Sequence, residues 1–144
     1  MLRLFARDRL SVPPLTPMPP VAELPAPLQQ SGCRYLGTVS GEARVRVRGL
    51  GSAGQARIQV STEGVDVVRL AGSFRIPGSS LRSARDQAEF DGKVAGPHGA
   101  LVIRHGEQLL DSGFRLQADT YDSAAQAHRN WARSVSRVAR STHG

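Results

Sequence analysis

Residues 64–116 constrain the fold more than any other part of the chain. Their apolar side chains come in short β-branched and aliphatic runs, separated by turn residues. The last two runs, at residues 99–104 and 108–115, flank a His-Gly-Glu segment that supplies the glycine a tight turn needs. We therefore predict a β-hairpin here, within a domain that is mainly β.

Shorter strand signals precede this hairpin, and each combines β-branched or apolar residues with turn residues at its ends. We predict strands at residues 34–40, 42–49, 55–62, 65–70, 74–76 and 81–85. The side chains of the fourth strand that we expect to pack in the core are Val65, Val67 or Val68, and Leu70. Residues 77–80 are expected to form a single helical turn, and residues 86–99 favour a loop because they are rich in glycine.

A single helix is predicted at the C-terminal end, from about residue 122 to residue 141. Asp122 or Ser123 can cap its first turn. Apolar residues recur every three to four positions and form one stripe: Ala124, Ala127 or His128, Trp131, Val135 and Val138. We expect Trp131 to lie in the core. Four arginines fall on the other faces of the helix: Arg129, Arg133, Arg137 and Arg140.

The N-terminal part differs in composition from the rest. Residues 1–12 mix arginine with leucine and phenylalanine, and residues 13–31 contain seven of the nine prolines. Proline lacks a backbone N–H and has a fixed φ, so residues 13–31 favour an extended polyproline-II linker. We therefore divide the chain into a basic stub with a disordered linker, residues 1–31, and a folded domain, residues 32–141. No stretch has the roughly 20 apolar residues of a membrane span.

The segment at residues 42–49 alternates between valine and arginine. It places its two valines on one face and Arg44, Arg46 and Arg48 on the other. This row of arginines is a candidate binding surface for anionic partners, and the alternative is an ordinary solvated strand face. The chain carries 19 basic and 12 acidic residues, a net charge of +7. Such a balance favours nucleic acid or an anionic membrane surface as partner, and it is also common in proteins encoded by GC-rich genomes.

No catalytic or metal-binding constellation emerges from the remaining polar residues. The four histidines are not spaced for a metal-binding helix, and we expect them on the surface: His98, His105, His128 and His143. Cys33 is the only cysteine, which excludes an intramolecular disulfide and a cysteine-based zinc site. We expect Asp86, Glu89 and Asp91 in a solvated loop, and Asp111 bonded to neighbouring backbone. The sequence therefore predicts no enzyme activity, no cofactor and no metal.

Six segments of the chain carry a specific combination of residues: YLGTVSGE at 35–42, RGLG at 48–51, EGV at 63–65, FRIPGSSLRSAR at 74–85, DGKVAGPHGALVI at 91–103 and HGEQLLDSGFR at 105–115. Together they resemble an actinobacterial family of small, usually membrane-anchored proteins that contain a pleckstrin-homology-like (PH-like) domain and are often loosely labelled transporters. The resemblance implies a seven-stranded, partly open barrel of two packed antiparallel sheets, capped by the C-terminal helix. Members carry an N-terminal transmembrane helix that this sequence does not match, which implies either a variant without an anchor or a start upstream of Met1.

The resemblance implies a non-catalytic binding or scaffold module at or near the cytoplasmic membrane face. Its expected partners are an unknown protein or anionic lipid headgroups, with weak contact to the membrane surface through Arg44, Arg46 and Arg48. Two alternatives remain: a nucleic-acid-binding protein that uses its basic surface, and an accessory part of a membrane transporter. Nucleic acid fits less well, because the arginines are not interleaved with aromatic residues that are expected to be exposed.

Overall fold

Seven strands and one helix form the folded domain. The computed structural model describes residues 9–10, 19–20, 24–40, 46–47, 50, 53–91, 93–94, 99–118 and 120–143. The strands are β1 Gln29–Ser40, β2 Gly54–Ser61, β3 Gly64–Arg69, β4 Phe74–Pro77, β5 Leu81–Gln87, β6 Ala100–His105 and β7 Leu110–Leu116, and the helix is α1 Tyr121–His143. Shorter pieces are the two-residue strands Arg9–Leu10, Arg46–Val47, Glu89–Phe90 and Lys93–Val94, and the 3-10 turn Gly78–Ser80.

All seven strands belong to one continuous antiparallel sheet in the order β4-β3-β2-β1-β7-β6-β5. The first strand therefore pairs with both the second and the last strand. The sheet is not closed, because β4 and β5, which stand at its two ends, are not paired with each other. This architecture confirms the predicted fold class: mainly β, with one C-terminal helix.

The predicted hairpin is formed by β6 and β7, with Leu101 opposite Phe114 in the register. Gly106 begins the turn with φ +79°, a conformation that glycine adopts without the steric cost that other residues incur. The predicted turn at residues 77–80 is also confirmed, as the 3-10 turn that joins β4 to β5.

One apolar cluster holds the domain together, because every strand of the sheet and the helix contribute to it. Representative members, one from each element, are Tyr35, Ile58, Val67, Ile76, Leu81, Leu101, Phe114 and Trp131. The apolar stripe of the helix is confirmed, and Trp131 is only 1% exposed. Helix α1 packs along β5 and against Gly78–Ser80, so it covers the junction at which the sheet is unpaired.

The first strand begins earlier than predicted, at Gln29 rather than residue 34. The backbone N–H of Leu28 also donates to the carbonyl of Val60, 2.7 Å away. The polyproline segment was predicted to extend to residue 31, which is too far. Its last proline is Pro27, so nothing prevents the polar residues after it from pairing with β2.

The prediction that residues 86–99 form a loop is wrong for the first residues of this range, which belong to strands. Strand β5 continues to Gln87, and Glu89–Phe90 pairs with Lys93–Val94. Phe90 packs with Val39 on the outer face of the sheet, where it covers Gly113. A Cβ atom at Gly113 would lie 2.8 Å from the Phe90 ring, so the absence of a side chain there allows the contact.

The residue that caps the N-terminal end of the helix is Thr120, which was not among the predicted caps. The side chain of Thr120 accepts a hydrogen bond from the backbone N–H of Ser123 at 3.1 Å, which makes Thr120 the cap in place of the predicted Asp122 or Ser123. The four arginines of the helix are exposed, as predicted. Within the part of the chain that the structure describes, no helix combines the length and apolar character needed to span a membrane.

Candidate functional site

A cavity of about 370 Å³ opens between the start of β2 and the turn that follows β3. We call it the mouth cavity. Its lining residues are Tyr35, Ala53, Gly54, Gln55, Arg69, Leu70 and Ala71. A concave, largely apolar site with one charged side chain is the kind of place where small ligands and headgroups bind.

Arg69 places a positive charge in the wall of this cavity. It is paired with Ala56, a core residue, and alternates with Val65 and Val67, so it lies on the inward-facing side of β3. Its guanidinium carbon lies 5.0 Å from the centroid of the Tyr35 ring and 5.5 Å from that of Phe74. Contacts between a cation and aromatic faces at this distance are attractive. The cation is therefore positioned by the core of the domain.

The backbone also fixes the orientation of Arg69. Its Nε atom donates a hydrogen bond of 2.6 Å to the carbonyl oxygen of Gly72. Gly72 has φ +131°, which favours glycine in the turn between β3 and β4. The turn and the arginine therefore hold each other in place at the edge of the mouth cavity.

Leu70 is 104% exposed beside this arginine, so the prediction that it packs in the core is wrong. The two-residue period that turns Val65 and Val67 inward puts position 70 on the opposite face, and β3 ends at Arg69, so Leu70 begins the turn. Val65 and Val67 do pack in the core, as predicted. The rim of the cavity therefore presents a fully exposed apolar side chain next to a cation.

The floor of the cavity is tied to the connection between β1 and β2. The hydroxyl of Tyr35 donates to the carbonyl oxygen of Leu50 at 2.6 Å, and the backbone N–H of Thr38 donates to the same oxygen at 2.9 Å. Tyr35 is fully buried. Leu50, in this connection, is therefore attached to β1 by two hydrogen bonds.

A chain of buried hydrogen bonds extends from Tyr35 through the sheet to β6. Tyr35 Oη lies 2.5 Å from Thr38 Oγ1, Thr38 Oγ1 lies 2.6 Å from Ser112 Oγ, and Ser112 Oγ lies 2.9 Å from His105 Nε2. The carbonyl of Leu50 can only accept, so Tyr35 donates to it, Thr38 donates to Tyr35, and Ser112 donates to Thr38. The remaining donor to Ser112 is His105, whose Nε2 atom therefore carries the proton.

The direction of this chain leaves the other nitrogen of His105 as an acceptor. No partner for its Nδ1 atom occurs among the described residues, and the side chain is fully buried. Burial lowers the pKa of His105 from its ordinary 6.5 to about 4, and the nearby Asp111 carboxylate opposes that effect. The prediction that His105 is a surface residue is wrong, because its side chain is fully buried and its Nε2 atom contacts the hydroxyl of Ser112.

His128 is the second histidine that proves to be buried rather than exposed. Its Nδ1 atom lies 2.8 Å from a carboxylate oxygen of Asp86, and its Nε2 atom accepts the backbone N–H of Leu116 at 3.3 Å. Asp86 was predicted to lie in a solvated loop, but it is the acceptor of this contact at the end of β5. Since both ring nitrogens are engaged, the pair joins α1, β5 and β7 and has no nitrogen left for proton transfer to a ligand.

The other candidates for chemistry also have structural roles. Cys33 lies in β1, and burial raises the pKa of its thiol to about 12. Asp111 was predicted to bond backbone, but it pairs with Arg104 at 2.9 and 3.1 Å. Asp66 and Arg75 form a similar bidentate pair across β3 and β4. No cluster of three potential metal ligands occurs in the described ranges.

The predicted arginine row is only partly placed by the structure. Residues 42–49 were predicted to form one strand, and the described part of it is Arg46–Val47, in which Arg46 pairs with Val39 of β1. Arg44 and Arg48 lie outside the described residues. These arginines belong to the connection between β1 and β2, whose later residue Ala53 lines the mouth cavity. The mouth cavity itself was not predicted, because alternation along one strand does not show which other segments meet beside Arg69.

Comparison with known proteins places the chain in a family. No curated protein matched the sequence. A family model described as bacterial PH domain-like matches residues 12–135, which is most of the chain. PH-like domains are generally non-catalytic binding modules, and the match indicates no catalytic family. Together with an open seven-stranded antiparallel sheet and one C-terminal helix, this match shows that the chain belongs to the bacterial PH domain-like family.

Proposed function

We propose that this domain is a non-catalytic module that binds anionic lipid headgroups at the cytoplasmic face of a membrane, with the mouth cavity turned towards the bilayer. The observation that carries the proposal is the adjacent pair Arg69 and Leu70. The cation lines the cavity, and the next side chain is fully exposed and apolar. A headgroup phosphate pairs with a cation, and an apolar side chain beside it can enter the acyl boundary.

The arginines of the β1–β2 connection extend this surface in the proposal. Arg44, Arg46 and Arg48 precede Ala53, which lines the mouth cavity, and Leu50 between them is bonded to Tyr35 in its floor. A connection anchored next to the cavity can present its arginines to the same membrane surface. Long-range attraction to anionic lipid does not require each arginine to occupy a fixed position.

The expected affinity of the domain for an anionic membrane surface is modest, which limits the role that the domain can have there. Each basic residue near an anionic leaflet contributes about 1 kcal/mol, and burial of a leucine side chain contributes about 1.5–3 kcal/mol. Four arginines and Leu70 together give roughly 6 kcal/mol, a dissociation constant between millimolar and micromolar. Such binding would orient a domain that a second contact already holds at the membrane, and would not by itself fix it there.

The test is co-sedimentation of the full chain with phosphatidylglycerol-containing vesicles, beside vesicles of phosphatidylcholine alone. We expect weak binding to the anionic vesicles only, lost by about 0.3 M salt, where the Debye length is roughly 6 Å. Replacing Arg44, Arg46 and Arg48 with glutamine should remove most of it. Leu70→Ser should weaken it about tenfold or more, whereas Leu28→Ser should not, although Leu28 is also a large exposed apolar residue, at 54%.

The outcomes separate the proposal from its competitors. Binding that is equal for Leu70→Ser and Leu28→Ser would exclude insertion at the mouth cavity. Absence of vesicle binding would leave a protein partner as the ligand of this module. The nucleic-acid alternative lacks stacking surfaces in the described part of the chain, since every aromatic side chain whose burial is described is buried: Tyr35, Phe74, Phe90, Phe114 and Trp131.

A further inference from the structure

A second cavity lies on another part of the domain, between helix α1 and the start of β5. Its volume is about 340 Å³. We call it the helix groove. Its lining residues are Leu81, Arg82, Ser83, Ser136, Ala139 and Arg140. Leu81 and Ala139 belong to the apolar core, so the floor of the groove is apolar and its walls carry two guanidinium groups and two hydroxyls.

The fold brings these polar groups together from two elements. Ser136 and Arg140 are four residues apart on α1, so they lie on the same face of the helix. Arg82 and Ser83 follow Leu81 where β5 begins, and α1 packs along this strand. The Nε atom of Arg82 lies 3.4 Å from the carbonyl oxygen of Gly106, which holds that side chain at the β6–β7 turn.

The polar groups of the helix groove contrast with the paired arginines of the sheet. Arg75 and Arg104 each bind an aspartate through two nitrogens. Among the described residues, neither Arg82 nor Arg140 forms an ion pair with a carboxylate. The hydroxyls of Ser83 and Ser136 likewise have no hydrogen-bond partner within the described ranges. Two positive charges and two hydroxyls therefore share one cavity with no described anion between them.

The surrounding charge favours an anion further. Arg129, Arg133, Arg137 and Arg140 fall within an arc of about 80° on the helix, at 100° per residue. The helix has one acidic residue, Asp122, in its first turn. The groove lies near the C-terminal end of α1, where the helix dipole is unfavourable for an anion. That partial charge is smaller than the full charges of the two arginines that line the groove.

We propose that the helix groove binds a phosphate monoester through Arg82 and Arg140, with the hydroxyls of Ser83 and Ser136 as further donors. A phosphate monoester carries close to two negative charges and three terminal oxygens, so it can accept hydrogen bonds from donors on two sides of a cavity. A carboxylate has two oxygens in one plane and matches two separate walls less well. The phosphate can belong to a small molecule in solution or to a lipid headgroup, and the experiment distinguishes these sources.

The test uses the full chain with inorganic phosphate and O-phosphoserine as probes, followed by calorimetry and by backbone amide NMR shifts. We expect millimolar binding or tighter, with acetate much weaker and shifts concentrated at residues 82–83 and 136–140. Arg82→Gln/Arg140→Gln should weaken binding of O-phosphoserine about tenfold or more, because charge-assisted hydrogen bonds are lost. The control is Arg129→Gln/Arg133→Gln, which removes the same charge from α1 outside the groove and should change the affinity less than twofold.

Vesicles separate the two sources of the phosphate. Phosphatidic acid carries a monoester and phosphatidylglycerol a diester. A preference for phosphatidic acid that the groove variant loses assigns the site to lipid, and monoester binding in solution without that preference assigns it to a small molecule. The proposal is overturned if neither soluble probe shifts the groove amides, or if the groove variant and the control lose affinity equally. The shift experiment uses the unaltered protein, so it decides the question even if a variant folds poorly.

Discussion

The side-chain oxygen of Tyr35 and the backbone oxygen of Leu50 lie 2.6 Å apart, and the tyrosine donates the hydrogen bond between them. This contact joins the floor of the mouth cavity to the connection that carries Arg44, Arg46 and Arg48. It also sets the direction of the buried chain that passes through Thr38. A single hydroxyl therefore links the core of the domain to the surface that we propose as its binding site.

Tyr35→Phe removes this hydroxyl and keeps the ring that packs against Phe74 and Phe114. We expect the free energy of unfolding to fall by about 1–3 kcal/mol, because the buried Thr38 hydroxyl loses its acceptor. The measurement is chemical denaturation at pH 7. A second expectation is weaker binding to anionic vesicles, since Leu50 loses one of its two attachments. A variant as stable as the unaltered protein would show that the hydroxyl chain contributes nothing to folding.

Trp131→Ala is expected to be the most damaging single substitution in α1. Its ring is buried in the core between the helix and the sheet, and truncation of a buried tryptophan costs about 3–5 kcal/mol. Val135→Ala should cost less, and Arg133→Ala should change the stability very little, because Arg133 is exposed. Thermal unfolding of the three variants in one buffer makes the comparison. Equal melting temperatures for the Trp131 and Arg133 variants would place the indole outside the core.

Stability should fall as the pH is lowered from about 6.5 to about 4. In this range the unfolded chain protonates His105, whose ordinary pKa is 6.5, whereas burial lowers its pKa in the folded protein to about 4. The unfolded state then binds more protons, which lowers the free energy of unfolding by about 3 kcal/mol in total. Above pH 6.5 the histidine is neutral in both states and this contribution is zero.

The comparison for this pH dependence is His105→Gln. The variant will be less stable at pH 7, but its stability should depend less steeply on pH between 6.5 and 4, because one titrating group is gone. Denaturation at four or five pH values gives both slopes, and the difference between them is the contribution of His105. Identical slopes would mean that His105 is accessible to protons in the folded state.

Truncation from the N-terminal end should lower the stability of the domain only when it removes residues of β1. A chain that begins at residue 24 keeps all of β1 and the contacts of Gln59 with Pro25 and of Ser134 with Gln29. A chain that begins at residue 32 loses three residues of β1 that pair with β2. We expect the first to melt within a few degrees of the full chain and the second clearly lower. Equal melting temperatures would support the earlier boundary at residue 31.

The sequence predicted the fold well where the hydrophobic period was clear. The hairpin of β6 and β7 and the stripe around Trp131 rest on unbroken apolar patterns, and both are confirmed. The prediction of which residues are exposed was wrong where a polar side chain is paired with a partner that is distant in the sequence. Asp86 and His128 are 42 residues apart, and neither local composition nor spacing indicates that they meet.

The candidate site was harder to predict, because it depends on the end of a strand. The valines at positions 65, 67 and 68 left two phases of the strand open, and the prediction that Leu70 packs in the core follows the phase of Val68. In the structure Val65 and Val67 face inward, so the two-residue period places Arg69 inward, opposite Ala56, and Leu70 outward. No sequence rule favours a cation at an inward position. The cavity is formed when the start of β2 and the turn after β3 meet, which is a property of the assembled sheet.

The protein offers a convenient way to observe the rim of the mouth cavity. Its single cysteine, Cys33, is buried, and burial raises the pKa of the thiol to about 12, so labelling reagents that need a thiolate should spare it in the folded state. A new cysteine at an exposed position can therefore be labelled alone. Leu70→Cys provides the site at the rim, and Leu28→Cys provides a control on an exposed apolar residue elsewhere.

The most direct test of membrane docking through the mouth cavity is the fluorescence of a nitrobenzoxadiazole label at each of these two positions. On addition of phosphatidylglycerol vesicles at low salt, the label in Leu70→Cys should brighten and shift to shorter wavelength, because it enters the acyl boundary. The label in Leu28→Cys should stay in water and keep its spectrum, and phosphatidylcholine vesicles should change neither. An unchanged label at position 70 while the protein pellets with anionic vesicles, or equal changes at both positions, would contradict docking through this cavity.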